Sequence, residues 1–255
     1  MPSAIKHDHE LSNKGLVSIL VEAQGADDAT LESFLWQKFP DNDCFSSVNV
    51  FVPIPESKGI PHGALVGVDG TLLWAGHPVG DAKKIEELIA AELAKSKKGW
   101  GASAEARKVR AALYGKGEFA AAAAAVAAMP EGEERTQLQG EIDRRYASAK
   151  KAVATLQSQG RWLDAQAAAK NLQKSVGTNA AWVAEVTPLV AEFDSEAGKA
   201  EIAQDRKLEK ITKQLREKKG DGAPKALQAM IKSAGNTKVS ERAARILKAL
   251  ETPLK

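Results

Sequence analysis

Apolar and polar positions keep one rhythm up to about residue 100 and another beyond it. Residues 16–23, LVSILVEA, are an apolar, β-branched run between Gly15 and Gly25, the pattern of a buried strand. Residues 27–39 open on Asp27 and Asp28, space Leu31, Phe34, Leu35 and Trp36 as a helix does, and stop at Pro40. Residues 47–52, SVNVFV, alternate like a half-buried strand. Residues 64–68 and 71–75 are two apolar runs around Asp69-Gly70, a strong short-range hairpin signal. Residues 81–95 predict an amphipathic helix with Ile85, Leu88, Ile89 and Glu92 on one face. Strand, helix, strand, hairpin and helix make an α/β domain over residues 1–98, with a mixed sheet.

After Lys97-Lys98-Gly99-Trp100-Gly101 the strand signals cease and residues 99–255 read as an all-α domain. Helices are expected over 104–114, 118–129, 133–158, 161–175, 180–193 (with Pro188 as a kink), 196–219, 223–233 and 240–250. Glycines Gly117, Gly160, Gly177, Gly220 and Gly235 fall at their ends. Gly117-Glu118-Phe119 and Gly160-Arg161-Trp162 each lead into an alanine-rich helix, with an aromatic two residues after the glycine. This resembles helical hairpins of the tetratricopeptide kind, without a regular period of about 34 residues. A helical-hairpin array and a plain helical bundle are both compatible with it.

Composition narrows the function classes. The chain has 255 residues, 36 basic and 33 acidic, for a formal charge of +3, and that balance argues against a dedicated nucleic-acid binder. No apolar run is long enough for a membrane span. The polar start, MPSAIKHDHELSNK, has no signal-peptide core. As written the chain reads as cytoplasmic. No phosphate-binding loop, dinucleotide fingerprint, nucleophile elbow or zinc-type cysteine pair occurs, and no cofactor or metal is expected. His7 and His9 are two apart on an expected helix and so face different ways. Trp100, Trp162 and Trp182 read as core aromatics, and the Lys/Glu runs at 207–210 and 216–219 as solvated faces.

The stretch from Gly15 to Leu93 resembles thioredoxin-like domains of the TlpA/redoxin branch. Three segments carry the resemblance: Lys14-Gly15-Leu16-Val17 entering a strand, Gly59-Ile60-Pro61-His62 before a strand, and residues 66–78 with their Asp-Gly hairpin. The resemblance implies an incomplete thioredoxin-like fold. The first strand and the Cys-x-x-Cys of the family have no counterpart, and residues 1–5 align with the middle of the redox helix. Two expectations follow. Either the chain is a truncated form of a TlpA/redoxin-type thiol–disulfide oxidoreductase with its dithiol upstream of Met1, or the strand at 16–23 pairs directly with that at 64–68 in a rearranged fold. A longer form with a signal sequence would be exported, as TlpA-like proteins are in bacteria.

By the same resemblance Pro61 is the family's cis-proline, Ile60 offers its backbone to an extended substrate peptide and His62 lines that groove. Cys44 does not match the family's redox positions. It has no neighbouring cation in sequence to lower its pKa and reads as structural, with partnership to an upstream cysteine as the alternative. With one thiol the chain as written reads as a redox-inactive interaction module; with an upstream dithiol it reads as an oxidoreductase acting on a thiol or disulfide substrate.

Overall fold

A computed structural model describes residues 2–42, 44–48, 59, 61–217 and 220–254. In chain order the elements are α1 (Pro2–Leu11), β1 (Ile19–Val21), α2 (Asp28–Lys38), β2 (Phe45–Ser47), β3 (Gly63–Val66), β4 (Leu72–Gly76), α3 (Ala82–Lys98), α4 (Ala104–Arg110), α5 (Phe119–Ala127), α6 (Glu133–Ser158), α7 (Trp162–Ser175), α8 (Ala180–Glu192), α9 (Glu196–Arg216), α10 (Ala223–Ala234) and α11 (Lys238–Glu251). The protein is mostly helical, with little sheet. No described helix is long and apolar enough to cross a membrane. The chain packs as two compact units, residues 1–19 with 50–143 and residues 20–49 with 144–255.

In the first unit, β3 and β4 form the expected antiparallel hairpin, with Leu65 opposite Trp74 and Val66 opposite Leu72. Leu73 is left unopposed, so the pair carries a bulge. The turn is longer than two residues. Gly67 N–H donates to Thr71 O at 2.8 Å and Gly70, at φ +84°, supplies the left-handed position. Two hairpin strands alone are marginal, and α3 supports these. Trp74 is buried and its Nε1–H donates to Asp81 Oδ2 at 2.8 Å. Glu92 Oε2 accepts the Val68 N–H at 2.8 Å, and Lys95 Nζ reaches Asp69 Oδ2 at 2.7 Å. Glu92, at helical spacing with Ile85, Leu88 and Ile89, thus tethers the hairpin tip.

Beyond α3 the chain turns sharply and is pinned by aromatic and charged contacts. Trp100 lies 4.8 Å from the Tyr114 ring, and Arg110 sits over Trp100 while gripping Glu141 at 3.0–3.2 Å. The single helix expected over 104–114 ends at Arg110 and widens into a π-type turn over Ala111–Lys116. A Cβ at Gly115 would stand 3.0 Å from the Lys97 backbone, so the close approach at this turn depends on glycine.

In the second unit, β1 pairs with β2. The alternative of a direct pairing between the strand at 16–23 and that at 64–68 is not what the described strands form. The described strands make two separate pairs instead of one mixed sheet, and residues 49–52 of the strand expected at 47–52 lie outside the described residues. The long helices follow their predicted bounds to within three residues, and residues 218–219 lie outside the described set. Pro188 sits inside α8. The core gathers Trp162, Ala165, Phe193, Leu208, Leu227 and Ile246, with Trp36 packed against it.

The two glycine–aromatic motifs adopt the same local geometry. Gly117 has φ +70° and Gly160 φ +74°, and the next residue is extended enough to start a new helix on Phe119 or Trp162. The buried positions then repeat: Phe119, Ala122 and Val126 in α5, and Trp162, Ala165 and Ala169 in α7. An alanine three places after the aromatic, Ala122 or Ala165, is fully buried in each and leaves room for a neighbouring helix.

Candidate functional site

The sequence-predicted site residues are divided between the units. Pro61 and His62 belong to the first, immediately before β3, with Pro61 exposed and His62 half-buried. Ile60, and with it the Ile60–Pro61 bond, lies outside the described residues. Cys44 belongs to the second unit and is buried, only 8% exposed. Its backbone N–H donates to Asn42 Oδ1 at 3.3 Å, and its carbonyl accepts from Ser46 Oγ at 3.4 Å. Its burial fits the structural reading better than that of a reactive thiol, which needs access. His7 lies 3.4 Å from Glu86. Among the described residues no group of three or more His, Cys, Asp or Glu side chains is placed to hold a metal ion.

A different feature stands out in the second unit, a cleft of about 270 Å³ along α2. Its N-terminal end is set by Asp27, whose side chain accepts the Thr30 N–H at 2.8 Å. Its other end is set by Pro40, where the helix stops. Two rows of side chains at i, i+4 spacing line it. One is Asp28, Glu32 and Trp36; the other is Leu31, Leu35 and Phe39. Pro40, Asn42 and Ser46 close the far wall.

The walls are held from behind. Gln37 Nε2 donates to the carbonyls of Ala249 and Thr252 at 2.8 and 2.7 Å, satisfying acceptors at the end of α11. Arg216 Nε donates to Pro40 O at 3.3 Å. Asn42 organises the loop, donating its backbone N–H to Phe39 O at 2.9 Å and its side chain to Ser46 Oγ at 3.3 Å. Phe34 and Phe39 meet at 5.6 Å.

No family model, curated protein or solved structure matches this chain.

Among the described residues neither Asp28 nor Glu32 makes an ion pair or a side-chain hydrogen bond. Asp28 and Glu32 lie one helical turn apart and repel by a few tenths of a kcal/mol, while Asp28, in the first turn of α2, is favoured by the helix dipole. Leu31, Phe34, Leu35 and Trp36 carry the apolar helical spacing of this segment. In the structure Ser33 is the buried residue of α2, Phe34 is 36% exposed, and Leu31, Leu35 and Trp36 line the cleft. The signal that could have revealed the cleft was the repeated i, i+4 row Asp28, Glu32, Trp36, which an apolar-only count overlooks.

Proposed function

We propose that this chain is a protein-interaction module, related to thioredoxin-like proteins of the TlpA/redoxin branch, that performs no dithiol chemistry with its own residues. The α2 cleft carries the reading: a row of apolar side chains beside carboxylates that pair with no described residue, on a helix anchored at both ends. Pockets with an apolar floor and a few placed polar groups are the usual form of a binding site. The burial of Cys44 agrees with it, since disulfide exchange needs an accessible thiolate and a second thiol to resolve the mixed disulfide. The hairpin β3–β4 braced by α3 supports the kinship, and the loop at Ile60, Pro61 and His62 is where that kinship would place a second peptide contact.

Two measurements test this. Reduction of insulin disulfides by the purified chain, in the presence of dithiothreitol, should not exceed the reagent blank, for the wild type and for Cys44→Ser alike. Photo-crosslinking from position 34, beside the cleft, should give a discrete adduct in native extract that position 170, exposed on α7, does not give. Turnover that disappears in Cys44→Ser would overturn the reading, as would identical adducts from both positions.

A further inference from the structure

The cleft on α2 also specifies what it would hold, and this inference rests on the interaction-module reading. Its two rows run side by side for three helical turns. From Asp28 to Phe39 is eleven residues, about 17 Å at 1.5 Å per residue. Leu31, Leu35 and Phe39 form a ridge at i, i+4 spacing, the ridge that a second helix packs against most readily. Asp28 and Glu32 form a parallel ridge of negative charge, and Trp36, which also packs against the core, ends that ridge.

We infer that the α2 cleft binds a basic amphipathic helix from a partner protein, with its leucine-like stripe on Leu31, Leu35 and Phe39 and two of its lysines or arginines, one turn apart, on Asp28 and Glu32. A further cation one turn on would meet Trp36, the side chain best suited to a cation–π contact. The partner's cations must be local to its helix. The chain as a whole carries +3, so its overall field does not draw basic peptides and the attraction is confined to this row. Apolar and charged contacts each do one task here: the leucine ridge supplies affinity, and the carboxylate ridge selects the sign and register of the partner.

The test uses the full chain labelled with 5-fluorotryptophan, the Trp36 resonance being identified by its loss in Trp36→Phe. Four short synthetic helices are titrated: leucine stripe with lysines, leucine stripe with glutamates, leucine stripe with serines, and lysines without leucines. The leucine–lysine peptide is expected to shift the Trp36 resonance saturably and the others at least tenfold more weakly. The double variant Asp28→Asn, Glu32→Gln should weaken that peptide about tenfold. It should leave the melting temperature within a degree or two, because among the described residues neither side chain has a bonded partner to lose. Equal binding of the glutamate peptide would overturn the inference, and so would equal binding of the leucine-free lysine peptide or a Trp36 resonance that no peptide moves. If the leucine–lysine peptide shifts other tryptophans but not Trp36, this site is wrong while the chain remains an interaction module. Insulin turnover removes the module reading whatever the peptides do.

Discussion

Arg242 Nη1 reaches Asp205 Oδ1 at 3.1 Å, and the pair is set in the second unit's core with Asp205 only 1% exposed. The other Asp205 oxygen accepts the Leu163 N–H at 2.8 Å, so one carboxylate caps the start of α7 from α9 while pairing with α11. The same Arg242 nitrogen touches Gly160 O at 3.4 Å. Burial pushes the Asp205 carboxyl up against the opposing pull of the Leu163 N–H and Arg242. Removing one member of such a pair strands the other. Asp205→Ala should therefore cost about 3 kcal/mol or more. In a double-mutant cycle with Arg242→Met the two losses should be far from additive, measured by urea unfolding.

The equivalent glycines should respond differently to alanine. Both need the left-handed region, which costs a non-glycine residue roughly 1–2 kcal/mol. At Gly117 the space is open, and Gly117→Ala should cost about that much. At Gly160 a Cβ would collide with the backbone of Lys238 at the start of α11. Gly160→Ala should be the more damaging by at least ~2 kcal/mol, read as a lower thermal midpoint.

Two buried tryptophans separate by their donors. Trp74 Nε1–H is satisfied by Asp81, whereas Trp162 Nε1 is buried with no partner among the described residues. Trp162→Phe gives up ring volume but removes an unpaired donor, and should lie within ~1 kcal/mol of wild type. Trp74→Phe gives up volume and a hydrogen bond together, and should cost ~1–2 kcal/mol more. Equal losses at the two positions would contradict this account.

Tyr146 should titrate late. Burial first, and then the neighbouring Glu185 carboxylate, push its phenol up to about 12 from an ordinary 10.0. Lys150, bonded to Glu185 and 5.4 Å from the Tyr146 ring, holds the Glu185 carboxyl below its usual range. A raised phenol pKa means that the folded chain keeps a proton the unfolded chain has released. The contribution is full below pH 10.0 and is lost as the pH rises toward 12. Absorbance at the tyrosinate band should show one phenol titrating near 12, and Tyr146→Phe should flatten the loss of stability across that window.

Local signals were legible in the sequence wherever one residue decides the outcome. Asp27 and Pro40 fix the ends of α2, Asp69-Gly70 marks the hairpin, and the glycines before Phe119 and Trp162 mark helix starts. What could not be read depends on tertiary partners. The widened turn after Arg110 holds Gly115 close to the Lys97 backbone, a tertiary approach that no local propensity encodes. The role of Glu92 was not legible because only the fold brings the Val68 N–H to it. The pairing of β1 with β2 is a long-range choice of the same kind. The cleft went unseen because its apolar and acidic rows interleave in sequence and separate only when α2 is wound.

The most direct test of the account is a change of sign in that acidic row. Asp28→Lys combined with Glu32→Lys should invert the preference of the full chain, so that the leucine–glutamate helix binds at least tenfold more tightly than the leucine–lysine helix, with its effect still centred on Trp36. A preference that stays with the leucine–lysine helix after both charges are reversed would contradict the claim that this cleft is the recognition surface.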